Sequence, residues 1–225
     1  MENAKIIQIA IDGPSGAGKS TLARALAAQL GFAYVDTGAM YRAIGLYVRD
    51  AGIAKDDAEG VVAALDGITL DLKFENGEQK LYLCGEEVGD RIRTQEISLY
   101  ASAVSALPAV REFLLDMQRG IAARTSVIMD GRDIGTVILP SAQVKLFLSA
   151  NDEERARRRF EELRAKGDTI SYEEVLEGMR LRDKNDSSRA VAPAIPADDA
   201  IMLDNSGCTL RETVERALEI IRERI

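Results

Sequence analysis

The sequence predicts an α/β domain built on a mostly parallel five-stranded sheet with helices on both faces. Two observations carry this. Five short apolar runs alternate with longer stretches of helical periodicity along the 225 residues, the pattern of strands joined by crossover helices. The first run also leads directly into a glycine-rich loop and then a helix, a unit that belongs to parallel sheets.

Taken in order, Ile6-Ile7-Gln8-Ile9-Ala10-Ile11 is a short apolar strand. After it comes Gly13-Pro14-Ser15-Gly16-Ala17-Gly18-Lys19-Ser20, followed by Thr21. Three glycines let this backbone wrap closely around one anion, with several N–H groups and a helix N-terminus aimed at it. Lys19 can reach the β- and γ-phosphates and the Ser20 hydroxyl can ligate Mg²⁺, so the loop is expected to hold a nucleoside triphosphate. Leu22, Ala25, Leu26 and Leu30 share one face of the next helix, and Gly31 can end it. Phe32–Asp36, Ser126–Asp130, Val144–Ser149 and Ala200–Asp204 supply the other four strands, and Thr209–Ile225 closes the chain with Leu210, Val214, Ala217, Leu218 and Ile221 on one side. Asp12, Asp36, Asp130 and Ser149 then fall at or just past strand carboxyl ends, where ligands gather on such sheets.

One stretch breaks the alternation. Ile68–Phe74 and Leu81–Leu83 each alternate apolar with polar around Glu75-Asn76-Gly77-Glu78, which reads as an antiparallel hairpin inserted between the second and third sheet strands. Leu81, Leu83 and Val88 are expected to pack it onto neighbouring helices.

Composition narrows the function. A net charge of −8 argues against broad nucleic-acid or anionic-membrane binding. Two cysteines, Cys84 and Cys208, stand far apart without metal-ligand spacing, and the acidic N-terminus lacks a leader pattern, so a reduced, cytoplasmic protein is expected. There is no histidine, which removes His-based general bases, triads and most zinc sites.

Four constellations bear on where the phosphate goes. In Asp36-Thr37-Gly38-Ala39-Met40-Tyr41-Arg42, Thr37 can cap a helix and Arg42 offers a planar fork for phosphate; a capping turn with a surface arginine is the plainer reading. In Asp130-Gly131-Arg132-Asp133, Asp130 is placed to hold Mg²⁺ or one of its waters and Arg132 adds a cation; a simple Asp-Gly turn is the alternative. Arg182, Asp186 and Arg189 share a face if the helix from Ser171 runs that far, although a solvated ion-pair ladder would look the same. Arg155, Arg157, Arg158 and Arg159 begin a helix after the fourth strand, either as a salt-bridged surface or as a lid over a transferring phosphoryl group. Together they suggest a second, phosphorylated ligand facing the first. A monophosphate is already a nucleophile at neutral pH, so such a transfer needs positioning and positive charge but no general base.

Several strings resemble those of the bacterial cytidylate kinases, within the nucleoside monophosphate kinase family. They are Ile11–Thr21, Asp36–Arg42, Ile92-Arg93-Thr94-Gln95-Glu96, Asp130–Val137 and Arg189-Ala190-Val191-Ala192-Pro193, and the similarity runs essentially end to end. The resemblance implies a P-loop nucleoside monophosphate kinase fold with a core of residues 1–37, 125–150 and 173–225. It also implies a monophosphate-binding subdomain of residues 38–124 carrying the hairpin insert at about 66–104, and a lid at about 151–172. It implies transfer of the ATP γ-phosphoryl group to CMP or dCMP with Mg²⁺ by a cytoplasmic monomer. Thr37, Arg42, Arg132 and Arg189 would lie near the acceptor phosphate; Ser102, Arg111 and Asp133 would read cytosine; Arg182 and Asp186 would hold the ribose. Lys19, Arg132, Arg182 and a lid arginine, Arg159 ahead of Arg155 and Arg158, would serve the transfer. Thr37 replaces a frequent serine, and Ser20 precedes Thr21 where some relatives have glycine, which leaves open which hydroxyl meets Mg²⁺. A P-loop kinase for UMP, shikimate or dephospho-coenzyme A would share the core without the Ser102, Arg111, Asp133 set. A guanine-nucleotide switch should carry Asn-Lys-x-Asp, and Lys184-Asn185-Asp186 has the wrong order.

Overall fold

A computed structural model describes residues 5–75, 78–165 and 167–225, with the Glu78 side chain left out. The expected Asn76-Gly77 turn and the acidic start at Glu2 lie outside the described residues. The strands are β1 (Gln8–Asp12), β2 (Ala33–Asp36), β3 (Leu70–Glu75), β4 (Glu78–Leu83), β5 (Glu86–Glu87), β6 (Val127–Asp130), β7 (Val144–Ser149) and β8 (Ile201–Asp204). The helices are α1 (Lys19–Leu30), α2 (Thr37–Asp50), α3 (Ala58–Ala64), α4 (Gln95–Val104), α5 (Pro108–Ala122), α6 (Asp152–Ala165), α7 (Tyr172–Ser187) and α8 (Leu210–Arg222). A parallel five-stranded sheet runs in the order β2-β6-β1-β7-β8. The five expected sheet strands are these five, each within two residues of its expected ends.

The chain divides into two compact units, residues 1–32 with 128–225, and residues 33–127. In the first, β1 pairs in parallel with β7 and β7 with β8. Ile9, Ile11, Ile128, Met129 and Leu148 are fully buried, as the continuous apolar runs of a sheet covered on both faces require. Helix α1 buries Leu22, Ala23, Leu26 and Ala27, while Ala25 and Leu30 are only half-buried. Gly31, at φ +68°, ends it in the left-handed conformation. Helices α7 and α8 start from capping boxes, Ser171 with Glu174 and Thr209 with Glu212. Val214, Ala217, Leu218 and Ile221 of α8 are buried as expected, but Leu210, in its first turn, is exposed. Helices α6 and α7 share a small core of Ala156, Leu163, Val175 and Met179, with Phe160 edge-on to Tyr172 at 6.0 Å. Leu163, Val175 and Met179 each stabilise the pair by roughly 1.5–3 kcal/mol on burial.

In the second unit the hairpin forms as the alternation predicts, β3 antiparallel to β4 from Leu70 opposite Leu83 to Glu75 opposite Glu78. A two-residue third strand, β5, adds to it; two residues are too few to show alternation. Leu81 and Val88 are buried with Ala39, Ala43 and Leu46 of α2, and Leu83 packs against them, so the insert is fastened by its apolar face. One detail differs from expectation. Helix α2 begins at Thr37 itself, and the capping group is Asp36, whose Oδ1 accepts from Ala39 N–H at 2.9 Å. An aspartate at the last strand position can accept that bond directly, which leaves Thr37 as the first helical residue.

Candidate active site

The loop between β1 and α1 is shaped by close approaches. A side chain at Gly13 would collide with the Leu148 carbonyl of β7, and one at Gly16, where φ is +72°, would come within 2.7 Å of Met179 on α7. Only glycine lets the loop lie this close to the Leu148 backbone, and at Gly16 it is the left-handed φ that favours glycine. Lys19, 6% exposed, donates to the Pro14 carbonyl at 2.7 Å. Burial first, and the Arg132 guanidinium next, push its ammonium pKa well below the usual lysine range, while Asp130 and Asp12 oppose this. Lys19 is therefore held away from solvent beside a second cation, a state that a bound polyphosphate would relieve.

Beside it, Ser20 Oγ donates to Asp130 Oδ2 at 2.9 Å, whereas Thr21 is exposed. Asp12, at the end of β1, accepts from Ile134 N–H at 2.8 Å and Gly135 N–H at 2.7 Å. It thereby anchors residues 134–138, a single π-helical turn in which the Asp133 carbonyl accepts from Ile138 N–H at 3.2 Å. Burial raises the Asp12 pKa to about 6 despite those two bonds. Asp133, which opens the turn, is itself buried.

The arginines meet around Asp186. Arg132 Nε donates to Asp186 Oδ2 at 3.1 Å, Arg182 Nε lies 3.9 Å from the same oxygen, and Arg189 Nη2 lies 3.7 Å from Oδ1. Helix α7 stops at Ser187, so Arg189 is not on the helix face that i, i+7 spacing suggests. It folds back from the turn beyond and donates from Nε to the Asp186 carbonyl at 3.2 Å. A cavity of about 330 Å³ lies between this cluster and the loop, lined among others by Pro14, Arg132, Arg155, Asp183 and Asp186.

The arginine block of α6 is divided in use. Arg155, 4% exposed, is sunk between Ser15, Asp152 and Asp183. Arg157 is exposed and lines an outer cavity with Phe160 and Tyr172. Arg158 pairs with Glu154 and reaches Asn205, and Arg159 pairs with Glu162 at 2.8 Å.

The remaining candidates belong to the unit of residues 33–127 and are described within it. Thr37 is buried at the start of α2. Arg42 folds back along the first turn, its Nη1 3.1 Å from where a Gly38 side chain would begin, with Asp36 Oδ1 3.2 Å from the same point. Arg93 pairs with Asp36 Oδ2 at 3.1 Å, and Gln79 of β4 accepts from Asp36 N–H at 2.7 Å, so the hairpin and its return segment brace the end of β2. Buried Arg111 of α5 donates to Ser105 O at 3.0 Å and lies over the Tyr41 ring at 5.5 Å. Ser102 of α4 is half-buried, and its carbonyl accepts from Ser105 Oγ at 2.9 Å.

The family model for cytidylate kinases matches residues 9–223. The chain belongs to the cytidylate kinase family. A cytidylate kinase from Caldanaerobacter subterraneus subsp. tengcongensis is 52% identical over 219 residues, 96% of this chain and 95% of that one. One from Caldicellulosiruptor bescii is 47% identical over 216 residues, 96% of each. A crystal structure of an uncharacterized protein from Eubacterium ventriosum shares the fold, with a TM-score of 0.55 at 14% identity, covering 98% of this chain and all of that one. Family membership makes the chain a kinase. Asp183, Asn205 and Gln79, which touch the loop or the end of β2, carry no signal in local sequence, because each acts through contacts across 43 to 188 residues.

Proposed function

We propose that the chain transfers the γ-phosphoryl group of ATP to CMP or dCMP, giving ADP and CDP or dCDP, in pyrimidine nucleotide metabolism. The observation that carries this within the family is the gathering of Arg132, Arg182 and Arg189 around Asp186, next to the loop that holds Lys19. An acceptor phosphate oxygen attacks the γ-phosphorus in line; the bond to the β-phosphate oxygen breaks and ADP leaves. Charge moves between phosphate oxygens, so fixed cations lower the barrier, and no histidine is needed.

Lys19 would bridge the donor phosphates above the N–H groups that Gly13 and Ser15 to Thr21 offer, Pro14 having none. A hydroxyl and a carboxylate 2.9 Å apart are hard oxygen donors of the kind Mg²⁺ takes. Ser20 and Asp130 would hold that ion, which supplies neutralisation of donor charge. Few protein ligands suffice, because Mg²⁺ on a nucleotide keeps phosphate oxygens and waters.

On the acceptor side, Thr37, Arg42, Arg132 and Arg189 are assigned to the phosphate, Arg182 and Asp186 to the ribose. Ser102, Arg111 and Asp133 are assigned to cytosine, whose N4 donor and N3 and O2 acceptors suit a carboxylate and a guanidinium. We further assign residues 38–124 to acceptor binding, with the insert at about 66–104, and residues of about 151–172 to a lid whose Arg159 serves the transfer. The core is assigned to residues 1–37, 125–150 and 173–225. The working picture is a cytoplasmic monomer without nucleic-acid or membrane partners. Both cysteines are free, and no helix among the described residues is long and apolar enough to cross a membrane.

The test is ADP release from ATP and Mg²⁺ with CMP, dCMP, UMP, AMP and GMP offered singly. Rapid turnover with CMP and dCMP alone is the expected result; equal turnover with UMP would overturn the cytosine assignment, and no acceptor-dependent ADP would overturn the reaction.

A further inference from the structure

The phosphate-binding loop is held from outside by two side chains, Asn205 and Arg155, and the structure turns the second, a candidate lid arginine by sequence, onto the loop backbone instead. Arg155 Nη1 donates to the Ser15 carbonyl at 2.6 Å from 140 residues away, and Asn205 Nδ2 donates to the Ala17 carbonyl at 2.9 Å from 188 residues away. Both side chains are buried, at 4% and 6% exposure. Each is fixed in turn. Arg155 pairs with Asp183, whose other oxygen accepts from Ser15 N–H at 2.9 Å. Asn205 N–H donates to the Ser149 carbonyl at 2.9 Å, and its own carbonyl accepts from Cys208 N–H at 3.1 Å.

Peptide groups are planar and trans, so a carbonyl held in one direction sends the next residue's N–H in the opposite one. The bond to Ser15 O thus sets the Gly16 N–H, and the bond to Ala17 O sets the Gly18 N–H. Gly16 and Gly18 sit at φ +72° and +90°. Glycine has the widest conformational freedom of any residue, so a loop this rich in it loses most entropy when a ligand orders it. External bonds that order it beforehand remove that cost.

We propose that Arg155 and Asn205 are positioning residues for the donor: they hold the Ser15 and Ala17 carbonyls outward, so that the Gly16 and Gly18 N–H groups are already aimed for donor phosphate. This rests on the reading that the loop receives ATP, not on the identity of the acceptor.

Asn205 gives the cleaner test. Asn205→Asp keeps the volume and the oxygen near Arg158 but removes the donor to Ala17; Asn205→Ala removes both. The dissociation constant of ATP with Mg²⁺, measured by equilibrium binding without acceptor, is expected to rise roughly five- to tenfold in each variant, the effect of one lost buried hydrogen bond. KM for CMP should move less than twofold, while KM for ATP follows the binding change. An unchanged ATP dissociation constant overturns the proposal, as does a fall in unfolding midpoint alone. Failure of both variants to fold also overturns it, since Asn205 would then be a structural support. Because the primary readout is ATP binding, the proposal fails or survives separately from the choice of CMP as acceptor.

Discussion

Ser20 Oγ donates to the Asp130 carboxylate across 2.9 Å, joining the end of the phosphate-binding loop to the end of β6 over 110 residues of chain. If this pair holds Mg²⁺, Asp130→Asn keeps the shape and removes the charge. The apparent Mg²⁺ requirement, read by titrating MgCl₂ at fixed ATP, should then rise roughly 10- to 100-fold, the range for perturbed metal sites. An unchanged Mg²⁺ requirement would remove Asp130 from the ion's shell.

Lys19→Ala should lower turnover by roughly 10²–10⁴-fold, the effect of losing a group that stabilises transferring charge. Burial and Arg132 already oppose the Lys19 charge, so the unfolding midpoint should hold or rise. A calorimetric scan beside the kinetics checks both halves. Near-normal turnover would mean that Lys19 does not serve the phosphoryl group.

Asp133→Ala should erode the preference for CMP over UMP by more than it weakens ATP. Uracil inverts the donor–acceptor pattern at N3 and position 4, so the wild-type site leaves polar groups facing like partners, and removing the carboxylate relieves that mismatch. The comparison is kcat/KM for the two acceptors against KM for ATP. Loss of ATP binding with an unchanged acceptor ratio would show that Asp133 serves the donor side.

Asp12 should leave a mark on stability between about pH 4 and 6. Its folded pKa is raised from 3.8 to about 6 by burial, so the folded chain binds this proton more tightly than the unfolded one. The stabilisation is complete below the unfolded value and is lost as pH rises through the folded one. Relative to Asp12→Asn, which does not titrate there, the wild type should lose on the order of 2–3 kcal/mol across that window. Denaturant unfolding of both proteins at half-unit pH steps would reveal it, and parallel curves would place the Asp12 pKa at its ordinary value.

Arg155→Ala should destabilise the protein by about 3 kcal/mol, because it leaves the Asp183 carboxylate and the Ser15 carbonyl without their cation. The double variant with Asp183→Ala should cost less than the sum of the single ones, as expected for groups in direct contact. Additive losses would show that the pair is not coupled.

Much of this was legible in the chain because the decisive signals are local. The five strands, the glycine loop, the Gly31 stop and the apolar stripe of the hairpin each follow from neighbours in sequence. What was hidden depends on distance or on close competition. Asp36 and Thr37 are both good caps, and only the start of α2 decides between them. Arg182, Asp186 and Arg189 fit one helix face by spacing, yet the chain turns after Ser187 and brings Arg189 back by another route. Arg155 reads like its neighbours Arg157 to Arg159, and only the burial that the fold imposes separates it from them. Asn205 has no pattern around it at all, since its partner Ala17 lies at the other end of the chain.

Helix α7 carries Asp183, which holds the loop at Ser15, three residues before Asp186, at the centre of the arginine cluster. One turn of a single helix thus touches both the phosphate-binding loop and the arginine cluster. A helix position favoured by one ligand and preferred by the other would couple the two binding steps by the same factor in either order of addition. If ATP and the acceptor bind as proposed, a helix that moves with one would link their affinities, and measuring each with and without the other would reveal it.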